Sequence, residues 1–288
     1  MKPDTNDQKR LRFVLETNKH RLIRLRPYQK ADRPAIIQIC HATGYMGEDA
    51  TVYFFDRKLF ALMHALYYTD YEPENCFVAE VEGKVVGYII GTKNTVRQKR
   101  RFILRFSWKI ILHLLFYTSL RYQRDIKSIF RILYKSLRRR NPTLYYSTFD
   151  HRETVNIQKK MEFDWRLNRF QSIVNSFQLL SSSLPEEEIL RQYPAHLHIN
   201  LLKDAQGLGL GSQLLRAFEA HLVAHTIRGY HLHTTDYNYK AIPFYFRNSL
   251  KLLSVKVTSF SWPNVLTRTL IFGKKLQDIE LSYRLNLE

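Results

Sequence analysis

The chain has 288 residues, 45% of them hydrophobic and 14% aromatic, too apolar for a disordered polymer and ample for a real core. Its two cysteines, Cys40 and Cys76, exclude a disulfide framework and lack metal-ligand spacing. The formal net charge of +19 is extreme, no signal-peptide core opens the chain, and no uncharged apolar run reaches the roughly 18 residues of a spanning helix; the expectation is a cytoplasmic protein, soluble or peripheral at the inner membrane surface.

In chain order, residues 1–20 read as a polar, mobile leader. Leu22, Ile23 and Leu25 predict a short strand. Asp32, then Pro34, then Ile36, Ile37 and Ile39 predict a helix with Asp32 as its N-cap and Gly44 at its end. A second helical stretch spans about 54–68. "CFVAEVEGKVVGYIIGT" places two apolar runs around Glu82-Gly83 and predicts a hairpin, with the glycine supplying positive φ. Residues 93–193 have a different texture and read as an insertion. Beyond it, "AHLHINLL" reads as a strand and 212–225 as a helix with Leu214, Leu215, Phe218 and Leu222 on one face. "YHLHTTD" is a further strand, followed by a short helix at about 239–248 and strands at 252–260 and 267–273. The order predicts an α+β layer arrangement, organised as a leader (1–20), a first part (21–92), the insertion (93–193) and a second part (194–288).

The charge is concentrated in the insertion. Between positions 97 and 140, fourteen Lys/Arg stand against one acid, Asp125, which leaves about +6 for the rest of the chain. Arg97, Arg101, Arg105, Lys109 and His113 recur every four residues, a basic ridge winding slowly around a helix, with Phe102, Ile103, Phe106, Ile110, Leu114 and Tyr117 elsewhere on it. Further on, Ile126, Ile129, Phe130, Leu133 and Leu137 form an apolar face and Arg124, Lys127, Arg131, Lys135 and Arg138 a basic one. Three readings stay open: an anionic membrane surface, packing on the core that leaves a solvated basic face, or RNA or another acidic partner.

"QGLGLGS" at 206–212 lies between an apolar strand and an amphipathic helix. Bare backbone at a helix start suits an anion, because unpaired N–H groups and the helix dipole point at it. The spacing fails as a dinucleotide fingerprint, which needs glycine where Ser212 stands, and as a P-loop, which ends in Gly-Lys-Ser/Thr. It matches Q/R-x-x-G-x-G/A through Gln206, Gly209 and Gly211, and "NYKAIPFY" at 238–245 matches N-x-x-A-x-x-F-Y. With these two signatures at this separation, the chain resembles the GNAT superfamily of N-acetyltransferases over about 22–92 and 194–273. The family pattern continues into a Gly-Phe pair; here Ser249-Leu250 stands instead, which puts the entrance to the next strand in doubt.

The resemblance implies a mixed, mostly antiparallel sheet flanked by helices, and acetyl-coenzyme A as cosubstrate with no metal. It assigns the diphosphate to the backbone of Gln206, Gly207, Leu208, Gly209, Gly211 and Ser212, and the pantetheine arm to the backbone of Ile199 and Leu201, on a strand edge opened by a splayed neighbour. Asn238 matches the cofactor-side asparagine, or serves as a plain helix N-cap. Tyr245 matches the tyrosine that protonates the departing thiolate, or packs as an aromatic beside Phe244 and Phe246. For the base, His198 is the choice, with Glu80 and Asp236 as rivals. His196 and His198 share one strand face, as do His231 and His233; a zinc site there lacks a completing acid or cysteine.

The function expected is transfer of acetyl from acetyl-coenzyme A to an amine, on a small molecule or a peptide, by direct attack in a ternary complex. The alternative is a catalytically weak or inactive module that binds an anionic membrane surface or RNA through residues 97–140. The insertion lies beside the strand at 195–202, where it would shape the choice of acceptor.

Overall fold

The computed structural model describes residues 13–16, 22–52, 56–113, 185–262 and 265–276. Leu114, Tyr117 and the second amphipathic stretch lie outside these residues. In chain order the elements are β1 (Phe13–Glu16), β2 (Leu22–Pro27), α1 (Arg33–Ala42), α2 (Arg57–His64), α3 (Leu66–Tyr71), β3 (Phe77–Val81), β4 (Lys84–Thr92) and α4 (Thr95–Arg101). A π-helical turn (Phe102–Phe106) joins α4 to α5 (Ser107–His113). Then come α6 (Glu187–Gln192), β5 (Ala195–Leu201), α7 (Leu210–Ala224), β6 (Gly229–Thr235), α8 (Ala241–Arg247), β7 (Lys251–Trp262) and β8 (Val265–Lys275).

One sheet runs β1-β2-β3-β4-β5-β6-β8-β7. Every neighbouring pair is antiparallel except β5–β6. This is the expected α+β architecture, with one addition: within the polar opening, Phe13–Glu16 pairs with β2.

Alternation along the strands divides the core into two layers. Phe77, Ala79, Ile89, Tyr230 and Leu232 face α7 and α8, where Leu210, Leu214, Phe218 and Leu222 pack at helical spacing. Val78, Tyr88 and Ile90 face α1 to α3 and α5. At about 25 cal/mol per Å² of apolar surface removed from water, each fully buried Leu, Ile or Phe stabilises the fold by about 2–3 kcal/mol.

Local signals explain most element ends. Glu82 (φ 51°) and Gly83 (φ 75°) both take the left-handed conformation of a two-residue hairpin turn. Asp56 caps α2, accepting from Leu59 N–H at 2.8 Å. Asp32 stands at the N-cap position of α1, but its carboxylate does not cap that helix. It accepts from the Gln29 N–H and binds both terminal nitrogens of Arg26 at 2.7 Å.

The basic ridge is corrected at its far end. Lys109 turns inward to Asp70 at 2.8 Å and lies over the Phe106 ring, and His113 is buried against Asp56 at 2.6 Å. Phe106 and Ile110 join the core, whereas Ile103 is exposed. The cause is the pair of acids on the α2–α3 layer, which draws the cations to the packed side.

Candidate active site

The parallel pair β5–β6 holds together at only two positions, Ala195↔Tyr230 and His196↔His231. Along its other edge β5 stays paired with β4 as far as Gly87↔Leu201. Beyond His196, therefore, β6 has left β5 and one backbone edge is open. The Leu202 N–H bonds to Val86 O at 2.9 Å, which fixes the phase: even-numbered residues direct their backbone groups to β4, and Ile199 and Leu201 direct theirs into the gap. The carbonyl of Leu201 already accepts from Gln206 Nε2 at 3.1 Å, tying the strand end to the glycine turn.

In that turn Gly207 (φ 78°) and Gly209 (φ 76°) take left-handed conformations that other residues adopt only at a cost. Gln213 N–H to Gly209 O, at 3.2 Å, is the bond that starts α7. The N–H groups of Leu210, Gly211 and Ser212 precede it and have no acceptor in their own helix, so with the helix dipole they form a ready anion site. Gly211 is required for another reason: a Cβ there would lie 3.0 Å from Phe244 Cε2 and 3.4 Å from Leu201 Cδ1. Its bareness lets the start of α7 lie close on α8 and the end of β5.

Asn238 is half-buried, and its carbonyl accepts from Ala241 and Ile242. Its side-chain amide makes no hydrogen bond among the described residues, so the side-chain capping reading is not what this position shows. Tyr245 is buried against Phe272 and Phe244, and desolvation raises its phenol pKa above the ordinary value of 10. The departure at Ser249-Leu250 is absorbed: Ser249 takes the left-handed conformation at φ 63°, and Leu250 fills the core.

On the α1–α3 side of the sheet, the alternate residues of β5 and β6 bring His196, His198, His231 and His233 together, with ring centroids 5.5 to 5.9 Å apart between neighbours. A group that the sequence reading missed organises them. Tyr68 of α3 sets its hydroxyl 2.6 Å from His196 Nε2 and 3.2 Å from His198 Nε2. Thr95 Oγ1 lies 2.9 Å from Pro194 O and 2.8 Å from His196 Nδ1. A carbonyl can only accept, so Thr95 donates to it and must accept from His196 Nδ1–H. His196 Nε2 is then an acceptor for the Tyr68 O–H, and Tyr68 in turn accepts from His198 Nε2–H. The chain of donors runs one way and leaves His198 Nδ1 with a lone pair.

Desolvation holds these imidazoles neutral. His198 and His231 are pushed down to about 4, and His196 and His233 lie well below the ordinary 6.5. His198 is exposed to solvent as a residue, which offsets part of that penalty. Two buried atoms, His233 Nε2 and Gln213 Oε1, have no hydrogen-bond partner. Each is a buried polar atom with hydrogen-bonding capacity left over. Among the described residues no three His, Cys, Asp or Glu side chains are disposed to hold a metal ion.

The rival bases are occupied elsewhere. Glu80 accepts from Arg26 Nε at 2.8 Å in the Arg26–Asp32–Glu80 cluster. Asp236 is buried and accepts from the Arg268 N–H at 3.1 Å, tying the end of β6 to β8; desolvation raises its pKa.

A sheet opened beside a glycine turn at a helix start is the α+β arrangement that the two sequence signatures implied. Residues 186–248 match the model of the Acetyltransferase (GNAT) family. That match covers the segment that carries both signatures. Among solved structures, one named SsHAT is similar in fold, with 24% identity and a TM-score of 0.57, covering 88% of this chain and 98% of that one. An N-acetyltransferase from Staphylococcus aureus Mu50 matches at 12% identity and a TM-score of 0.47 over the same shares. The yncA protein of Salmonella typhimurium, solved with its cofactor acetyl-CoA, matches at 11% and 0.44, covering 88% of this chain and 94% of that one.

Proposed function

We propose that the chain transfers an acetyl group from acetyl-coenzyme A to an amine acceptor by direct attack in a ternary complex. The observation that carries this reading is the departure of β6 from β5 along the strand whose end Gln206 ties to the glycine turn before α7. The fit is supported by the open edge at Ile199 and Leu201, by the unpartnered Asn238 amide and Gln213 Oε1, and by the left-handed Gly207 and Gly209. Gln206, Gly207, Leu208, Gly209, Gly211 and Ser212 would hold the diphosphate, and the backbone of Ile199 and Leu201 the pantetheine arm. When bound, the cosubstrate supplies an activated acetyl thioester.

The chain's own groups then have separate tasks. His198 Nδ1 takes the proton that the amine loses as its nitrogen acquires the acetyl group. Tyr245 gives a proton to the departing sulfur; raised above 10, it stays protonated at neutral pH and so is available as a donor. Backbone N–H groups at the open edge of β5 stabilise the charge that develops on the acyl oxygen. Tyr68, His196 and Thr95 position His198 and fix its tautomer. In this reading His198 acts from the α1–α3 side of the sheet and Tyr245 from the α7–α8 side, with the acetyl group carried between them through the gap of β5 and β6.

The test is incubation of the full chain with acetyl-coenzyme A and a panel of small amines and peptides, reading product mass and free thiol. Matched release of thiol and acetylated amine is expected, lost in Tyr245→Phe. No acetylated product from any acceptor, with no binding of the donor, would contradict the reading.

A further inference from the structure

Nine large hydrophobic residues are exposed among those described, and six of them, Val96, Ile103, Leu104, Trp108, Ile111 and Leu112, lie on the single helical run from α4 to α5. The inner face of that run is fixed. Phe106 and Ile110 are buried, Lys109 pairs with Asp70, His113 pairs with Asp56, and Tyr71 donates to Arg105 O at 2.9 Å. The outer face is thus held outward by five attachments and is not a frayed end. Leu104, at 68% exposed, lies at its centre, with Trp108 and Ile111 one and two turns on. Arg97, Arg100 and Arg105 are exposed beside it and form no ion pair among the described residues.

We infer that this outer face docks on an anionic lipid surface, the aliphatic and indole side chains entering the headgroup boundary while Arg97, Arg100 and Arg105 meet lipid phosphates. Charge weighs against the nearest occupants. The next stretch of the chain, positions 114–140, carries eight Lys/Arg and one acid, so folding back onto this face would set like charges together. A second copy of the face would do the same. Single-stranded RNA suits the arginines but gains nothing from covering Leu104, Ile111 and Leu112, because RNA sites stack bases on aromatic and guanidinium planes. Lipid satisfies both chemistries at once. The proposal does not depend on acetyl transfer.

The test uses the full chain and flotation with vesicles of phosphatidylcholine alone or with part of it replaced by phosphatidylglycerol. Binding about tenfold stronger to the anionic vesicles is expected, weakened by salt. It should be lost in Leu104→Ser/Trp108→Ser/Ile111→Ser, whose thermal midpoint should match the parent because nothing internal is uncovered. Equal binding to both vesicles, or none, overturns the proposal, as does full binding by the triple variant. A lowered midpoint in that variant would show the face covered by the chain itself, and conversion of a dimer to a monomer would show it covered by a second copy; either also overturns the proposal.

Discussion

The hydroxyl of Tyr68 lies 2.6 Å from His196 Nε2 and 3.2 Å from His198 Nε2, so one residue of α3 sets the tautomers of two histidines on β5. Removing that hydroxyl leaves the ring packing intact but frees His198 to rotate and change tautomer. Tyr68→Phe should lower kcat about tenfold with little change in acceptor KM, and His198→Ala should lower it about 100-fold, within the usual range for general bases. Steady-state kinetics with saturating donor checks both. A merely structural Tyr68 would lower the thermal midpoint and leave kcat per folded molecule alone.

Tyr245→Phe removes a proton donor and keeps the buried ring. About a 10- to 100-fold loss of kcat is expected, with donor KM and thermal midpoint nearly unchanged. Tyr245→Ala should also unfold more easily, by about 3–5 kcal/mol, since it opens a cavity against Phe244 and Phe272.

Glu80 separates the structural reading from the catalytic one. Held by Arg26 at 2.8 Å together with Asp32, it belongs to a largely buried ion cluster joining β2, β3 and the start of α1. Glu80→Gln should cost about 2 kcal/mol of stability and leave kcat within about twofold. Urea unfolding and initial rates decide; a large fall in kcat at unchanged stability would make Glu80 the base.

The buried histidines set a direction for acid stability. His231, 1% exposed, is pushed from 6.5 to about 4 by desolvation. A group with a lowered folded-state pKa of this kind binds its proton in the unfolded chain first, so stability is full above about pH 6.5 and falls as pH drops toward about 4. For His231 alone the loss approaches about 3 kcal/mol. Thermal midpoints measured across that window should fall with acidity, and His231→Phe should flatten the slope. A midpoint independent of pH there would contradict the burial of these imidazoles.

What was legible in the sequence follows from range. The hairpin at Glu82-Gly83, the strands and helices around the glycine turn, and the two signatures are local patterns, and they reappear at their positions. Gly211 looked like part of an anion turn, yet its closeness to Phe244 depends on α8, thirty residues downstream, and has no local signal. Tyr68 pairs with histidines 128 and 130 residues away. In sequence it is one aromatic in an apolar helical stretch. The four-residue spacing of Lys109 and His113 showed a ridge but not which side of the helix packs. Asp56 and Asp70, on the elements it packs against, were the available hint. Ser249 carries the left-handed turn that glycine was expected to hold, because a helix end with Leu250 buried behind it fixes the chain direction.

The central claim is that the start of α7 and the open edge of β5 together hold acetyl-coenzyme A. Isothermal titration of the donor into the full chain, beside Gly211→Val, tests it most directly. The β-branched side chain meets Phe244 and Leu201 and pushes the first turn of α7 away from β5. One site per chain is expected in the parent, weakened about tenfold or more in the variant, with circular dichroism unchanged. No donor binding by the parent, or equal affinity in a folded variant, would contradict it.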